Sequence, residues 1–161
     1  MPDVTKELFD AFQKDHATLG RGLHQIGSRL RGGDMAGARD AADELDRAAG
    51  AHIAFEEHDF YPALAPFLDD DEISQLYREH RDGQATVKDL MGLDPAASID
   101  KQRREGLLEH VEAMERHVSE CGELFGAMGG LDSDAQAALL EKLDTWRAKA
   151  PRWTEITQTR D

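Results

Sequence analysis

Four long segments of this chain carry apolar residues at intervals of three and four, and each of these series contains a histidine. In the first segment the series reads Leu8, Phe12, His16, Leu19, Leu23, Ile26 and Leu30. This spacing places the side chains on one face of an α-helix, and no segment shows the period of two that is typical of a strand. An imidazole on a buried face costs free energy unless a partner satisfies it. The pattern therefore predicts an all-α protein with polar groups inside its core.

Glycine, proline and capping signals mark where the helices begin and end. The second helix is predicted to end at Pro62, because proline cannot donate the next backbone hydrogen bond. Asp69 with Glu72, and Ser133 with Gln136, have the spacing of capping boxes that open later helices. The predicted helices cover about residues 4–31, 35–61, 69–91, 99–128 and 133–150.

The connections between the four long helices are short, so consecutive helices are predicted to lie side by side and antiparallel. Gly32-Gly33, followed by Asp34 as a helix N-cap, is an example of such a tight turn. We predict a four-helix up-and-down antiparallel bundle over residues 1–130. A short extra C-terminal helix and tail, residues 131–161, are predicted to pack on it.

The histidines of the four long helices are predicted to meet inside the bundle. Counting from the connecting turns at about 1.5 Å per residue places His16 level with His52, and His80 level with His110. Taken alone, each is more often a hydrogen-bonded core residue than a ligand, and a metal-free bundle is the corresponding alternative. Four histidines at matched depth instead favour a metal site.

Two carboxylates extend the pattern. One follows a histidine by four residues on the second helix, and the other follows a histidine by five residues on the fourth. Two carboxylates between two pairs of imidazoles can bridge two metal ions. The predicted ligands are therefore a histidine from each long helix and the two acids: His16, His52, Glu56, His80, His110 and Glu115.

Other residues near these positions have alternative interpretations. His117 lies on the same stripe as His110, seven residues later, and becomes the ligand if the estimated depth is wrong by two turns. His24 and His58 fall off the apolar stripes and are predicted to face solvent. Glu57 points about 100° away from the acid before it, so it is also predicted to be solvated.

Composition narrows the environment and the partners. The net charge of −14 would repel a phosphate backbone, which argues against nucleic acid as a partner. The single cysteine gives no disulfide framework, and the sequence has neither a secretory signal pattern nor an apolar run of membrane-spanning length. A cytoplasmic protein without a membrane segment is expected.

The motifs resemble those of the hemerythrin and hemerythrin-like (HHE cation-binding) domains over about residues 5–128. The matching phrases are HIAFEEHDFYPAL, YREHRDG and LLEHVEAME. The resemblance implies a four-helix bundle that holds two non-haem iron ions, bridged by carboxylates and optionally by an oxo group. The two acids would then be the bridges. The histidines of the first two helices would ligate one iron, and those of the last two helices the other.

The sequence departs from the oxygen-carrying members of that family at two positions. Their third helix carries His-xxx-His, whereas here His80 is followed four residues later by Gln84. That iron either has one protein ligand fewer, or water, Gln84 or another side chain fills the place. Glu115 replaces the aspartate of the oxygen carriers. Open coordination positions favour sensing, peroxide chemistry or iron handling over reversible oxygen carriage.

The resemblance thus implies a protein that binds iron together with oxygen or a related small molecule. The alternative is a di-iron enzyme that acts on hydrogen peroxide or in the response to nitric oxide, and whether the chain is an enzyme stays open. A sensor whose stability depends on iron is a further possibility. Histidine and carboxylate ligands suit iron, manganese and zinc alike, so only the resemblance selects iron.

Overall fold

The computed structural model describes residues 3–96, 98–120 and 122–157, and the described residues form no strand. The helices are α1 (Val4–Arg31), α2 (Met35–Phe55), α3 (Tyr61–Leu64), α4 (Asp70–Met91), α5 (Lys101–Glu120), α6 (Gly122–Gly129) and α7 (Ser133–Lys149). A π-helical turn, Glu56–Phe60, joins α2 to α3, and 3₁₀ turns span Ala65–Phe67 and Trp153–Glu155. The protein is all-α, as predicted. Among the described residues, none of the helices combines the length and apolar character needed to cross a membrane.

Side chains cap the helices where the sequence predicted it, with one change. Asp34 caps α2, and Asp69 and Glu72 form a reciprocal capping box at the start of α4. At α7 the cap is Asp132 rather than the predicted Ser133. A carboxylate accepts the backbone N–H bonds that the first turn leaves unmade, and its charge also favours the helix N-terminus.

The four longest helices each pack against two others of the set. α1 contacts α2 and α5, and α4 contacts the same two helices. α7 lies against α1 and α2. The fourth predicted helix appears as α5 and α6, and Cys121 between them is outside the described residues.

Pro62 does not end the second helix as predicted. The backbone passes through the π-helical turn, in which the N–H of Tyr61 bonds to the carbonyl of Glu56, and helix continues to Leu64. In that wider pattern the next N–H would bond to the carbonyl of Glu57, but proline has none to donate. The hydroxyl of Tyr77 donates to that carbonyl instead, at 2.5 Å. A side chain thus satisfies the carbonyl that proline leaves without a backbone donor.

The C-terminal tail crosses α2 and α4. Trp153 is buried, and its ring packs against Gly83, where an added Cβ would lie 2.6 Å from Cη2 of the indole. The buried carboxylate of Asp46 accepts hydrogen bonds from the backbone N–H and the hydroxyl of Thr154 and from Arg152. These contacts hold the segment after α7 in a defined place.

Candidate metal centre

A layer of polar side chains divides the hydrophobic core into two apolar clusters. The first cluster includes Leu23, Leu45, Leu90 and Leu107, and the second includes Leu8, Phe60, Ile73 and Met128. The chain passes between the clusters from Phe12 to Leu19, Ile53 to Phe55, Tyr77 to Val87 and Met114 to Leu124. Six side chains lie within or directly beside these crossings and are called the polar layer here: His16, His52, Glu56, Glu57, His80 and His117. All of them are buried except His16, which is half-buried.

One half of the polar layer has the geometry of a cation site. The ligand atoms of His16, His52 and Glu56 all lie within 4.8 Å of one another. Nε2 of His52 is 3.4 Å from Oε1 of Glu56, and within the described part of the chain this buried nitrogen has no hydrogen-bond partner. Ligand atoms that share one cation at about 2.1 Å lie roughly 3–4 Å apart. A cation between them would therefore satisfy both atoms.

The other half of the polar layer is organised around Glu56 and Tyr61. Nε2 of His80 is 3.5 Å from Oε1 of Glu56, so this carboxylate lies between His52 and His80. The hydroxyl of Tyr61 donates to Oε2 of Glu56 at 3.2 Å and lies 3.1 Å from Nε2 of His80. The ring of His117 meets that of His80 edge-on, with 4.9 Å between the ring centres. Glu56 is thus placed to serve both halves.

Oxygen atoms behind the histidines fix the direction of their rings. Nδ1 faces the carbonyl of Phe12 at 2.9 Å in His16, the carboxylate of Asp15 at 2.9 Å in His52, and the carboxylate of Glu79 in His117. A hydrogen bond at Nδ1 sets the tautomer and makes Nε2 the nitrogen that a cation would use. Three histidines from three helices are therefore oriented for ligation.

The charges in the polar layer compensate one another when no cation is present. Burial alone would raise the pKa of Glu56, but the neighbouring His52 and His80 hold it well below its usual range. Burial likewise opposes the charge of His80, yet attraction to the nearby carboxylates of Glu56 and Glu57 raises its pKa to about 9. A proton on His80 thus supplies the positive charge that a metal ion would otherwise bring.

The structure does not bring His110 or Glu115 to the polar layer. His110 is exposed and lines a small cavity with Gly83 and with Leu90 of the first apolar cluster, and Glu115 lines a surface cavity with Arg116. His117 takes the level expected for His110, because α5 begins about 7 Å farther from the layer than α4 ends. Counting residues from the connecting turn places His110 level with His80 only if the two helices start equally far from the polar layer.

The π-helical turn brings in two residues that the sequence analysis left outside the site. Glu57 was predicted to be solvated but is 1% exposed, and the hydroxyl of Tyr61 points into the polar layer. An extra residue in one turn rotates the following side chains, so that neighbouring acids both face inward. A proline five residues after Glu57, within an otherwise helical pattern, was the available signal. His24 and His58 are exposed, as predicted.

Gln84 faces away from the polar layer. Its amide nitrogen donates to the backbone carbonyls of Trp153 at 2.7 Å and Ile156 at 3.0 Å. Of the alternatives for the position after His80, ligation by Gln84 therefore receives no support from its contacts. The side chain instead holds the C-terminal tail.

Comparison with models of protein families identifies the family of this chain. The model of the hemerythrin HHE cation binding domain matches residues 7–128, a span that includes the whole polar layer. Curated proteins and solved structures give no significant match. A buried cluster of histidine and glutamate at the level where two apolar clusters meet agrees with a cation-binding domain. The chain belongs to the hemerythrin HHE cation-binding domain family.

Proposed function

We propose that this protein holds two iron ions in its polar layer and binds dioxygen or a related small molecule there. The observation that carries the proposal is the cluster of His16, His52 and Glu56, in which a buried imidazole nitrogen faces a carboxylate. Iron accepts both ligand types, and the family binds cations. A bundle in which the long helices run up and down is part of the proposal, and their pairwise packing supports it.

The proposed ligands divide between two cations. His16 and His52 would hold the first, and His80 and His117 the second, with Glu56 between them. This set keeps four of the six residues predicted from the sequence. It replaces His110 by His117, because His117 is buried and in ring contact with His80. Glu115 has no role in it.

Bound iron would supply the redox chemistry, and the protein residues would control access and protons. The two apolar clusters above and below the polar layer exclude bulk water from it. Asp15 and Glu79 keep the rings of His52 and His117 directed at the centre. The hydroxyl of Tyr61 lies between Glu56 and His80, where it can donate a hydrogen bond to a small molecule bound beside them.

The test is metal content, followed by an absorption spectrum of the reduced protein before and after oxygen is admitted. We expect about two irons per chain and a new charge-transfer band that depends on oxygen. His52→Ala should lower the iron content, whereas His24→Ala, a matched change at an exposed histidine of α1, should leave it unchanged. Absence of iron after anaerobic reconstitution of the wild-type chain would overturn the proposal.

A second candidate is the breakdown of hydrogen peroxide, which the buried hydroxyl of Tyr61 favours. A proton donor between a carboxylate and an imidazole can protonate the oxygen that leaves when the O–O bond breaks. Turnover of peroxide by the iron-loaded protein, above that of the same concentration of free iron, would support this candidate. Tyr61→Phe should then reduce turnover without reducing iron content. Turnover no greater than that of free iron would exclude it.

A further inference from the structure

Glu57 is a buried acid in the polar layer for which the proposed ligand set has no use. It is 1% exposed, and within the described residues its Oε1 has no hydrogen-bond partner. Nδ1 of His80 is also buried and also lacks a partner in that part of the chain. The other oxygen of Glu57 lies 3.9 Å from that nitrogen. Two complementary groups thus face each other across a gap that is too long for a hydrogen bond.

His80 is the exception among the four histidines of the polar layer. The other three have Nδ1 directed at an oxygen acceptor, whereas Nδ1 of His80 stops short of Glu57. Its Nε2 is meanwhile engaged by the hydroxyl of Tyr61 at 3.1 Å. Within the described residues, three ligand atoms lie within 4.8 Å of one another in the half that contains His16, and no such group of three surrounds His80. The His80 half is therefore less completely arranged for a cation.

We propose that Glu57 is the positioning residue for the second cation, and that its carboxylate accepts a hydrogen bond from Nδ1 of His80 when Nε2 binds that cation. This inference rests on the proposed two-cation function. Ligation would draw Nε2 away from Tyr61 and turn the ring, which closes the gap at Nδ1. The added positive charge also compensates a buried carboxylate, which is costly to leave only partly paired.

The structure then implies an order of loading. The first cation enters the half built by His16, His52 and Glu56, whose ligand atoms already lie close together. The second enters the His80 half and needs the small movement that brings Glu57 into contact. Outer hydrogen-bond partners of metal-bound histidines typically contribute a factor of about 10–100 in metal affinity. Glu57 should therefore affect one of two binding steps.

The experiment is an anaerobic titration of the metal-free chain with Fe²⁺, in which calorimetry measures each binding step. Thermal melting of the metal-free and loaded forms is measured alongside it. The wild type should bind in two steps. Glu57→Gln, which keeps the size and removes the charge, should weaken only the second step, by about 10–100-fold. The affinity of the second step relative to the first is the deciding readout, because loss of Glu57 also removes a charge that supports the proton on His80 in the metal-free form. Glu44→Gln removes the same charge from an exposed position on α2 and should leave both steps unchanged.

A structural salt bridge from Glu57 to His80, without a role in metal binding, makes a different prediction for the two binding steps. In that case the metal-free form of Glu57→Gln would melt at a lower temperature and both binding steps would keep their affinities, which would overturn the inference. A wild-type chain that binds one Fe²⁺ would also overturn it while leaving cation binding intact. A wild-type chain that binds no Fe²⁺ would overturn the proposed function as well.

Discussion

Asp15 on α1 holds His52 on α2, with its Oδ2 at 2.9 Å from Nδ1 of the imidazole. The other oxygen of the same carboxylate accepts a hydrogen bond from Arg147 of α7, also at 2.9 Å. Burial would raise the pKa of Asp15, but these two partners hold it below its usual range. A charged carboxylate thus links the C-terminal helix, which lies beyond the family match, to the candidate metal centre.

Asp15→Asn should weaken the binding of the first cation. The amide is nearly the same size but carries no charge, so it supports the imidazole of His52 less well as an electron donor. We expect affinity to fall by about 10–100-fold, measured by competition with a chelator of known strength. Asp10→Asn is the matched control on α1, since Asp10 pairs with the exposed Lys6 at 2.6 Å and is itself exposed. An unchanged affinity in Asp15→Asn would show that the contact serves packing alone.

The stability of the metal-free protein should fall between about pH 6.5 and pH 9. The pKa of His80 is raised to about 9 in the folded chain, whereas an unfolded histidine titrates near 6.5. A raised pKa means that the folded state holds its proton more tightly, so this contribution is complete below about pH 6.5 and is lost as the pH approaches 9.

Calorimetric melting across that range provides the measurement. His80→Asn should flatten the dependence on pH, because the asparagine does not titrate. A melting temperature of the wild-type, metal-free chain that rises through the same window would contradict the assigned charge state of His80.

Tyr77→Phe should destabilise the π-helical turn. The hydroxyl of Tyr77 donates to the carbonyl of Glu57, and its loss leaves a buried acceptor without that bond. Such a loss costs about 1–3 kcal/mol, which chemical denaturation can measure. Adding Pro62→Ala to this variant restores a backbone N–H at the position that could donate to the same carbonyl. Partial recovery in the double variant is expected; a further loss would argue against this account of the turn.

Gly83→Ala should displace the C-terminal tail. The added methyl would lie 2.6 Å from Cη2 of Trp153 and 2.9 Å from Sδ of Met114, so the indole has to move. We expect a loss of about 1–3 kcal/mol, as is typical of overpacking. Gly20→Ala on α1 is the control, because its methyl would meet open space among the described residues and should stabilise the helix slightly. Equal effects of the two changes would mean that the tail adapts freely.

Periodicity was sufficient to predict the helical class and the ends of α1, whose predicted bounds match Val4–Arg31. It also placed His16, His52 and His80 on inward faces, because each falls within a regular apolar series. The depth of α5 could not be obtained in this way, since it depends on the path of the connection before Lys101. Local spacing contains no information about that path, so His117 and His110 stayed interchangeable.

Glu57 and Tyr61 were missed for a different reason. Their inward direction depends on the π-helical turn, in which the carbonyl of Glu57 accepts a hydrogen bond from the hydroxyl of Tyr77 on another helix. A rule based on about 100° per residue fails as soon as one turn holds an extra residue. The partner of Gln84 was equally hidden, because it is a tail segment about seventy residues later in the sequence.

The division of the core by the polar layer affects how the protein unfolds. Each apolar cluster is cohesive by itself, whereas the plane between them depends on a few charged contacts in the metal-free chain. Iron bound across that plane would cross-link α1, α2, α4 and α5 at the level where the apolar packing is interrupted. We therefore expect metal to control cooperativity as well as stability: the loaded protein should unfold in one sharp transition, and the metal-free protein in a broader one.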